Sequence, residues 1–408
     1  MRIGMLIIGS ELLQGKQLEA NLHFLGGFLR TYHQEVTAAQ IVSDKKSLIQ
    51  EALKSLYQNV DLVVVCGGLG PTPDDITKSE LADFFKKPIG YSQSAEQVAR
   101  ENYQRMGKVY PDQHTYSQLP EGFTPLSNNA GFAPGLWFQD GIHTLIALPG
   151  VPREFRQMLE DHLPRLVQLQ NTQKLNLVTV RTKGIPEEKI FQDLCPGLWS
   201  ELEKFGEVSS LPQLMGVDVG VKTTTSPETI YQIIAQTALA PYVWSYGMKS
   251  LEETIIELAA EKKMTFGFAE SCTAGLCAHR ITNVSGASQV FWGSVVSYDN
   301  TVKKNLLKVK PQTLLDHGAV SPECATEMAL GARAALGVDV AISLTGIAGP
   351  GGGSIQKPVG TVCIAVATSV GHQTKILNFK GDRENLKLRF SQAGLYLLWE
   401  TLSEVTRT

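Results

Sequence analysis

Two nucleophilic side chains, Ser271 and Cys272, stand side by side in the stretch AESCTAGLCAHR at residues 269–280. The preceding run TFGF predicts a buried strand, and the residues after the pair predict a helix. A serine at such a turn is most often the N-cap of the helix. It is also well placed as a nucleophile, because unpaired amides at the start of a helix can stabilise an oxyanion. The spacing alone leaves both interpretations open.

A serine nucleophile needs a base, and the segment VFWGSVVSYDNTVKK, predicted as the next strand, ends in Tyr298 and Lys303. No histidine occupies a comparable strand end, since His279 lies deeper in the predicted helix. A lysine would therefore act as base, with its pKa lowered from about 10.4 by desolvation, and a buried Tyr298 could hold or relay the proton. The rival nucleophile, Cys272, lacks an imidazolium partner, and we expect it to face inward as a small apolar side chain.

Two glycine-rich segments follow predicted strands and are suited to holding phosphate groups. One is SLTGIAGPGGGSIQKPVGT at residues 343–361, and the other is CGGLGPTPDDITKSE at residues 66–80. In the second, Asp74 and Asp75 offer hard oxygen ligands for a divalent cation that bridges phosphates, and Lys78 could offset the remaining charge. The alternative is a tight turn in which Asp75 only caps the following helix.

The surrounding elements predict an α/β chain of three domains. Strand and helix signals alternate over residues 1–170, which predicts a mostly parallel sheet with helices on both faces. Residues 171–246 read as a small α+β unit, and residues 247–408 as a further set of strands and helices that ends in a long helix from about Asp382. The polar stretch QLQNTQKLN at 168–176 predicts a linker.

Composition narrows the function classes. The chain has 408 residues, too many for one ordinary core. Its net charge is -3, from 37 Lys+Arg and 40 Asp+Glu, which gives no reason to expect a nucleic-acid or membrane surface. No apolar run is long enough to span a membrane. The six cysteines form no CxxC pair and favour a reducing cytoplasm, and the eight histidines form no cluster that predicts a transition-metal cage.

Taken together, these motifs resemble the CinA (competence/damage-inducible) family. Residues 1–170 resemble the MoaB/MogA-like molybdopterin-binding fold through GSELLQG, GGLGPTPDD, NNAGFAPG and PGVPRE. Residues 247–408 resemble the nicotinamide-nucleotide amidase domain through AESCTAG, SYDNTVK, HGAVS, GIAGPGGG, KPVGT and GDR. Residues 171–246 resemble a KH-like linker domain. The resemblance implies two three-layer α/β domains joined by a small α+β domain.

For the last domain the resemblance implies hydrolysis of nicotinamide mononucleotide to nicotinate mononucleotide and ammonia, a step of NAD salvage that needs no cofactor. Ser271 would be the nucleophile and Lys303 its base, with Tyr298 assisting. The implied substrate contacts are Thr273, Thr345, Gly346, Gly349, Gly351 and Arg383.

For the first domain the resemblance implies an ADP-ribose pyrophosphatase that gives AMP and ribose 5-phosphate. Its divalent cation, of the Mg or Co type, would be held by Asp74 and Asp75. The implied nucleotide contacts are Ser10, Glu11, Gly67, Gly68, Gly70, Thr72 and Lys78. The resemblance also implies a homodimer. The competing hypothesis is a non-catalytic nucleotide-sensing or partner-binding protein linked to competence or recombination.

The chain departs from the family motifs at Ser10, Phe132, Ala274 and Gly351. Phe132 replaces a threonine and so removes a polar side chain from the first domain. The other three changes remove none of the proposed catalytic groups.

Overall fold

The computed structural model describes residues 1–111, 115–167 and 176–404. The chain divides into two compact units, Met1–Leu177 and Val178–Thr408. The predicted linker falls, apart from its last residue, outside the described residues. Boundaries at 170 and 246 stay a prediction.

Among its described residues, the first unit has a six-stranded sheet, a two-stranded sheet and six helices. Its strands are β1 (Ile3–Ile8), β2 (Val36–Val42), β3 (Leu62–Cys66), β4 (Ile89–Tyr91), β5 (Gln118–Pro120), β6 (Thr124–Leu126), β7 (Gly135–Gln139) and β8 (Thr144–Leu148). Its helices are α1 (Ser10–Leu13), α2 (Asn21–Arg30), α3 (Lys46–Asn59), α4 (Thr77–Phe85), α5 (Gln93–Arg105) and α6 (Pro152–Leu166).

The large sheet of this unit has the order β2-β1-β3-β8-β7-β6. The first four strands pair in parallel, and β7 and β6 extend the sheet in antiparallel fashion. Every residue of β1 and β3 is buried, as expected for strands covered on both faces by helices. One core packs α3, α4 and α5 on the sheet, and the other packs α2 and α6. The unit is a three-layer α/β fold, as predicted.

The second unit contains a four-stranded and a five-stranded sheet. Its strands are β9 (Asn176–Thr182), β10 (Gly206–Gln213), β11 (Gly216–Thr223), β12 (Val243–Tyr246), β13 (Phe266–Glu270), β14 (Phe291–Val296), β15 (Val340–Gly346), β16 (Thr361–Ala367) and β17 (His372–Asn378). Its helices are α7 (Leu198–Glu203), α8 (Pro227–Ala235), α9 (Leu251–Lys262), α10 (Leu276–Thr282), α11 (Asn300–Leu307), α12 (Pro311–Asp316), α13 (Pro322–Leu336) and α14 (Arg383–Glu404). A π-helical turn, Lys189–Leu194, precedes α7.

The five-stranded sheet has the order β14-β13-β15-β16-β17, in which β14, β13 and β15 are parallel. One core packs α9, α10 and α14 on one face, and α11 and α13 cover the other. The four-stranded sheet has the order β10-β11-β9-β12. No helix in the described part of the chain is both long enough and apolar enough to cross a membrane.

The parallel pairing brings distant residues to one edge of each large sheet. In the second unit, the last residue of β13, Glu270, pairs with Val296 at the end of β14. The residues that follow the two strands, Ser271 and Ser297, therefore leave the sheet together. In the first unit, β1, β3 and β8 end side by side, which is where ligands bind in open α/β sheets.

Candidate functional site

Ser271 and Lys303 lie in direct contact in the second unit. The Lys303 Nζ atom lies 3.0 Å from the Ser271 Oγ atom. Ser271 follows β13, and Lys303 lies in the first turns of α11, which Asp299 caps by accepting a hydrogen bond from the Thr301 amide. The predicted serine–lysine pair is thus within proton-transfer distance.

The burial of Lys303 makes its amine easier to deprotonate than that of a lysine in water. The side chain is 1% exposed, and its other hydrogen bonds go to the carbonyl oxygens of Ser297 (2.6 Å) and Tyr298 (3.3 Å). Burial lowers the pKa of Lys303 below its usual 10.5. A neutral amine has two N–H bonds and one lone pair. Because the two carbonyl oxygens can only accept, they take the N–H bonds and leave the lone pair for the Ser271 hydroxyl.

The helix after Ser271 is capped by a different side chain. Glu270 is fully buried, and its carboxylate accepts hydrogen bonds from the amides of Gly275 (2.9 Å), Cys277 (3.1 Å) and Ala278 (3.1 Å). It also accepts one from the Ser294 hydroxyl at 3.0 Å. The N-cap interpretation of Ser271 is therefore wrong, and its hydroxyl is left for chemistry. Sequence reasoning missed Glu270, although an acidic residue just before a helix is the available signal.

The turn between β13 and α10 holds one hydroxyl that is suited to receive an oxyanion. Glu270 and nearby carbonyls take the later amides of the turn, and the amides of Cys272 and Thr273 are directed at the Cys272 thiol. Within the described residues, the buried hydroxyls of Thr273 and Ser297 have no hydrogen-bond partner. Thr273 lies two positions after Ser271, so its hydroxyl is a candidate donor to an oxyanion formed at that serine.

Cys272 faces the apolar core, as predicted. It packs in the cluster formed by α9, α10, α14 and the sheet. Burial raises the pKa of its thiol to about 12, so the thiolate is scarce at neutral pH. This geometry does not favour Cys272 as the nucleophile.

Tyr298 differs from its prediction. The residue is 62% exposed, so the expectation of a buried tyrosine is wrong. It follows the edge strand β14 and precedes the Asp299 cap, where the chain turns away from the sheet. Its contact with Lys303 is made by the backbone carbonyl, while its hydroxyl accepts a hydrogen bond from Arg383 Nη2 at 3.3 Å.

Arg383 joins the tyrosine to the glycine-rich loop after β15. Its Nη1 atom donates to the Gly349 carbonyl at 2.6 Å. Both described partners of the guanidinium are neutral oxygens, so its charge is available to an anion. Gly349 has a φ of +72°, and a Cβ there would lie 2.7 Å from Val359 Cγ1, whereas a Cβ on Gly351 would meet open space.

Two further substrate contacts that the resemblance implies for residues 247–408 lie at the end of β15. The Ser271 amide donates to the Leu344 carbonyl at 3.0 Å, which places Thr345 and Gly346 next to the pair. The Thr345 hydroxyl is used within the fold, because it donates to the Ala319 carbonyl at 2.7 Å. At Gly346 a Cβ would lie 2.7 Å from the Thr361 carbonyl oxygen, so the backbones approach closely there.

In the first unit a cavity of about 570 Å³ opens at the ends of β1, β3 and β8. Among the described residues that line it, none is Lys, Arg or His. Five carboxylates do line it: Glu11, Asp44, Asp74, Asp75 and Glu154. Sequence reasoning missed Asp44 and Glu154, although Asp44 follows β2 and Glu154 lies in the first turn of α6 within the motif PGVPRE.

The predicted glycine-rich turn forms part of the cavity wall. Gly67 and Gly68 have φ values of +103° and +66°, and a Cβ on Gly67 would lie 2.2 Å from the Ile8 carbonyl oxygen. Within the described residues, the amides of Gly68, Leu69 and Gly70 have no acceptor. Such a run of unpaired amides favours a bound anion.

Asp75 closes this turn and does not cap the helix. Its Oδ2 atom accepts hydrogen bonds from the Thr72 amide at 2.9 Å and from the Thr72 hydroxyl. The N-cap of α4 is Ile76, and no side chain caps it, so the capping interpretation is wrong. Thr72 also lowers the pKa of Asp74, which stays ionised and exposed.

Three of the implied nucleotide contacts do not line the cavity: Ser10, Thr72 and Lys78. The Lys78 Nζ atom donates to the Thr115 carbonyl at 2.6 Å, and burial lowers the pKa of Lys78 to about 8. The Ser10 amide donates to the Asp44 carboxylate at 2.8 Å. Lys78 and Ser10 therefore hold neighbouring segments of the cavity wall in place.

No three His, Cys, Asp or Glu side chains of the described chain form a ready-made metal cage. Mg²⁺ commonly binds through one or two carboxylates and completes its shell with water and substrate phosphates. The five carboxylates that line the cavity among the described residues would repel a pyrophosphate group that arrived without a cation. The residues fit a divalent cation that binds together with its phosphate ligand, with Asp74 and Asp75 beside the free amides.

Known proteins match the whole length of the chain. Residues 248–402 match the family described as "CinA C-terminal domain", and residues 4–168 match the one described as "Probable molybdopterin binding domain". A CinA-like protein of Chlorobium phaeobacteroides is 35% identical over 416 residues, which cover 97% of this chain and 98% of that protein. A CinA-like protein of Chloroherpeton thalassium is 36% identical over 417 residues, covering 97% and 98%.

Solved structures match part of the chain. The competence/damage inducible protein from Agrobacterium tumefaciens is 34% identical and covers 40% of this chain and 100% of its own, with a TM-score of 0.37. A superfamily member from Escherichia coli is 30% identical and covers 37% and 90%, with a TM-score of 0.35.

Proposed function

The chain belongs to the CinA family, and from that premise we propose that residues 247–408 hydrolyse nicotinamide mononucleotide to nicotinate mononucleotide and ammonia. The observation that carries the proposal is the buried contact of 3.0 Å between Lys303 Nζ and Ser271 Oγ. A lysine with a lowered pKa can act as the base that a serine nucleophile requires.

In the first step Ser271 Oγ attacks the carboxamide carbon of the substrate while Lys303 takes the hydroxyl proton. The carbonyl oxygens of Ser297 and Tyr298 hold the amine with its lone pair toward the serine. The oxyanion that forms would receive a hydrogen bond from the Thr273 hydroxyl, which is buried and has no partner in the described residues.

In the second step the Lys303 ammonium returns its proton to the leaving nitrogen, the C–N bond breaks, and ammonia departs. Nicotinate mononucleotide is then joined to Ser271 as an ester. Water attacks the ester carbon and gives a proton to Lys303, which passes it to Ser271 Oγ as the ester bond breaks. The acid is released, and the pair returns to its starting state.

The pH dependence of ammonia release tests this proposal directly. Because only neutral Lys303 can accept the proton, kcat/KM should rise with pH and level off above the pKa of Lys303. That pKa is lower than the usual 10.5. The measurement is ammonia release from nicotinamide mononucleotide by the purified chain. A rate that stays constant from about pH 5 to about pH 9, the range in which buried lysines titrate, would contradict lysine as the base.

Arg383→Ala should raise KM for nicotinamide mononucleotide roughly 10- to 100-fold and change kcat much less. The guanidinium has only neutral partners in the described chain, so it is suited to the substrate phosphate. Arg383→Lys should restore part of the affinity, because it keeps the charge and loses the bidentate geometry. Steady-state ammonia release gives both constants. An unchanged KM in the alanine variant would exclude this role.

For residues 1–170 we propose a metal-dependent ADP-ribose pyrophosphatase that gives AMP and ribose 5-phosphate. The supporting observation is the cavity in which five carboxylates lie near three amides that have no acceptor, with no basic side chain among the described lining residues. A divalent cation bound by Asp74 and Asp75 would balance the phosphate charge and polarise the phosphorus centre. The amides of the glycine-rich turn would hold the pyrophosphate oxygens.

The non-catalytic hypothesis makes a different prediction from either activity. A nucleotide sensor would bind both nucleotides and release neither ammonia nor AMP. The homodimer that the resemblance implies and the cytoplasmic location that the cysteines favour stay predictions.

A further inference from the structure

The cavity of the first unit has an aromatic side as well as an acidic one. Tyr116 and Phe132, which we call the aromatic wall, both line it. Behind them the Tyr103 ring packs against Phe132 with centroids 4.6 Å apart and against Tyr116 at 6.3 Å. The wall therefore belongs to a small aromatic cluster and has one side turned to the cavity.

Buried amides hold the wall in position. The Phe132 carbonyl accepts a hydrogen bond from Asn102 Nδ2 at 3.2 Å, and the Ala133 carbonyl accepts one from Asn128 Nδ2 at 3.0 Å. Both asparagines are fully buried. Asn128 Nδ2 also donates to Glu154 Oε2 at 2.6 Å, which ties the aromatic side to a carboxylate of the acidic side. A surface that is fixed before binding costs little ordering entropy when a ligand arrives.

The wall stays uncharged beside the acidic side. Burial raises the pKa of Tyr116, followed by the effect of Tyr103 and then by the carboxylates of Asp75 and Glu154, so its phenol remains neutral. Phe132 is half-buried and has no polar atom in its side chain. The cavity thus combines a side for metal and phosphate with a side that offers only flat aromatic carbon and one phenol.

We propose that the aromatic wall is the base-binding subsite of this cavity and stacks on the purine ring of a nucleoside diphosphate sugar. The inference rests on the proposed pyrophosphatase site and adds how that site selects a nucleotide. A volume of about 570 Å³ is far more than a pyrophosphate group needs and lies in the range of nucleotide-sized ligands. Aromatic side chains bind bases through their π-faces, and Phe132 is a half-buried aromatic residue that lines the cavity.

Binding of a methylene-bridged, non-cleavable ADP-ribose analogue in the presence of Mg²⁺ tests the proposal, with pyrophosphate as the ligand that lacks a base. Calorimetry should show that Phe132→Ala weakens binding of the analogue roughly 10- to 100-fold. Phe132→Leu, which keeps apolar bulk without a ring, should lose nearly as much, whereas Phe132→Tyr should bind almost as well as the wild type. Pyrophosphate affinity should be the same in all four proteins, which also shows that the variants are folded.

Two results would overturn the inference. One is that the wild type and Phe132→Ala bind the analogue with equal affinity. The other is that Phe132→Ala loses as much affinity for pyrophosphate as it does for the analogue. Neither touches the proposed activity, which is measured separately as AMP release from ADP-ribose. The wild type could release no AMP and still bind the analogue with the predicted dependence on Phe132. That result would support the subsite and contradict the proposed activity.

Discussion

Lys303→Met should lower the rate of nicotinamide mononucleotide deamidation by roughly 10²- to 10⁴-fold, the usual contribution of a general base. Methionine fills a similar volume and removes the amine that lies 3.0 Å from Ser271 Oγ. Methionine carries no titratable group, so burying it avoids the desolvation of an amine. The loss of rate should therefore not come from unfolding. Ammonia release in single-turnover conditions measures the chemical step, and the melting temperature reports the fold.

Ser271→Ala should show a loss at least as large, because it removes the atom that forms the ester. The double variant should be hardly worse than either single one, since the two side chains act as a unit. Cys272→Ala is the matched control. It keeps the backbone amide, removes only a core thiol, and should retain most of the activity. Full activity in Ser271→Ala together with loss of activity in Cys272→Ala would show that the cysteine is the nucleophile.

The contact between Ser271 and Lys303 was predicted correctly, but the strand expected to reach Lys303 ends at Val296, and Lys303 lies in α11. Parallel pairing explains only why Ser271 lies beside the end of β14. The apolar runs that became β13 and β14 were clear in the sequence, and neighbouring parallel strands end at the same edge of a sheet. The role of Glu270 was not predictable in the same way. From sequence alone, a carboxylate at the last position of a strand could be either buried or solvated. Only the folded turn shows that three amides donate to it.

Side-chain direction also limited the prediction of the first unit. The glycine-rich turn was evident, because Gly67 and its neighbours follow a buried strand. Lys78 is the second residue of α4. Spacing alone could not show that its amine donates to the Thr115 carbonyl and that the side chain does not line the cavity. Asp44 and Glu154 are 110 positions apart in the sequence, and only the sheet order β2-β1-β3-β8 brings both to the cavity.

The strength of the hydrophobic pattern decided which elements were visible. Strands β3 and β15 are largely apolar runs that are buried along nearly their whole length, and both were predicted ahead of the two glycine-rich segments. Short strands such as β5 and β6 have three residues each and contain proline. A segment of that length carries too little periodicity to be recognised from sequence.

Asp75→Asn should lower AMP release from ADP-ribose roughly 10²-fold or more, as should a chelator added to the wild type. Asparagine keeps an oxygen that can accept from the Thr72 amide, so the turn around residues 72–75 should persist. What it removes is a negative charge beside the unpaired amides of Gly68, Leu69 and Gly70. The loss should therefore reflect weaker binding of the cation, and a higher Mg²⁺ concentration should recover part of the rate.

Asp83→Asn is the matched control for this charge, because Asp83 lies at the other end of α4 and pairs with Lys46 on the surface. Exposed ion pairs contribute little to stability, so AMP release should be unchanged in this variant. Ammonia release from nicotinamide mononucleotide should also be unaffected by the chelator, since Ser271 and Lys303 need no metal. Equal AMP release with and without the chelator would show that the first site needs no metal. A loss of ammonia release in the chelator would show that the serine–lysine pair does not act alone.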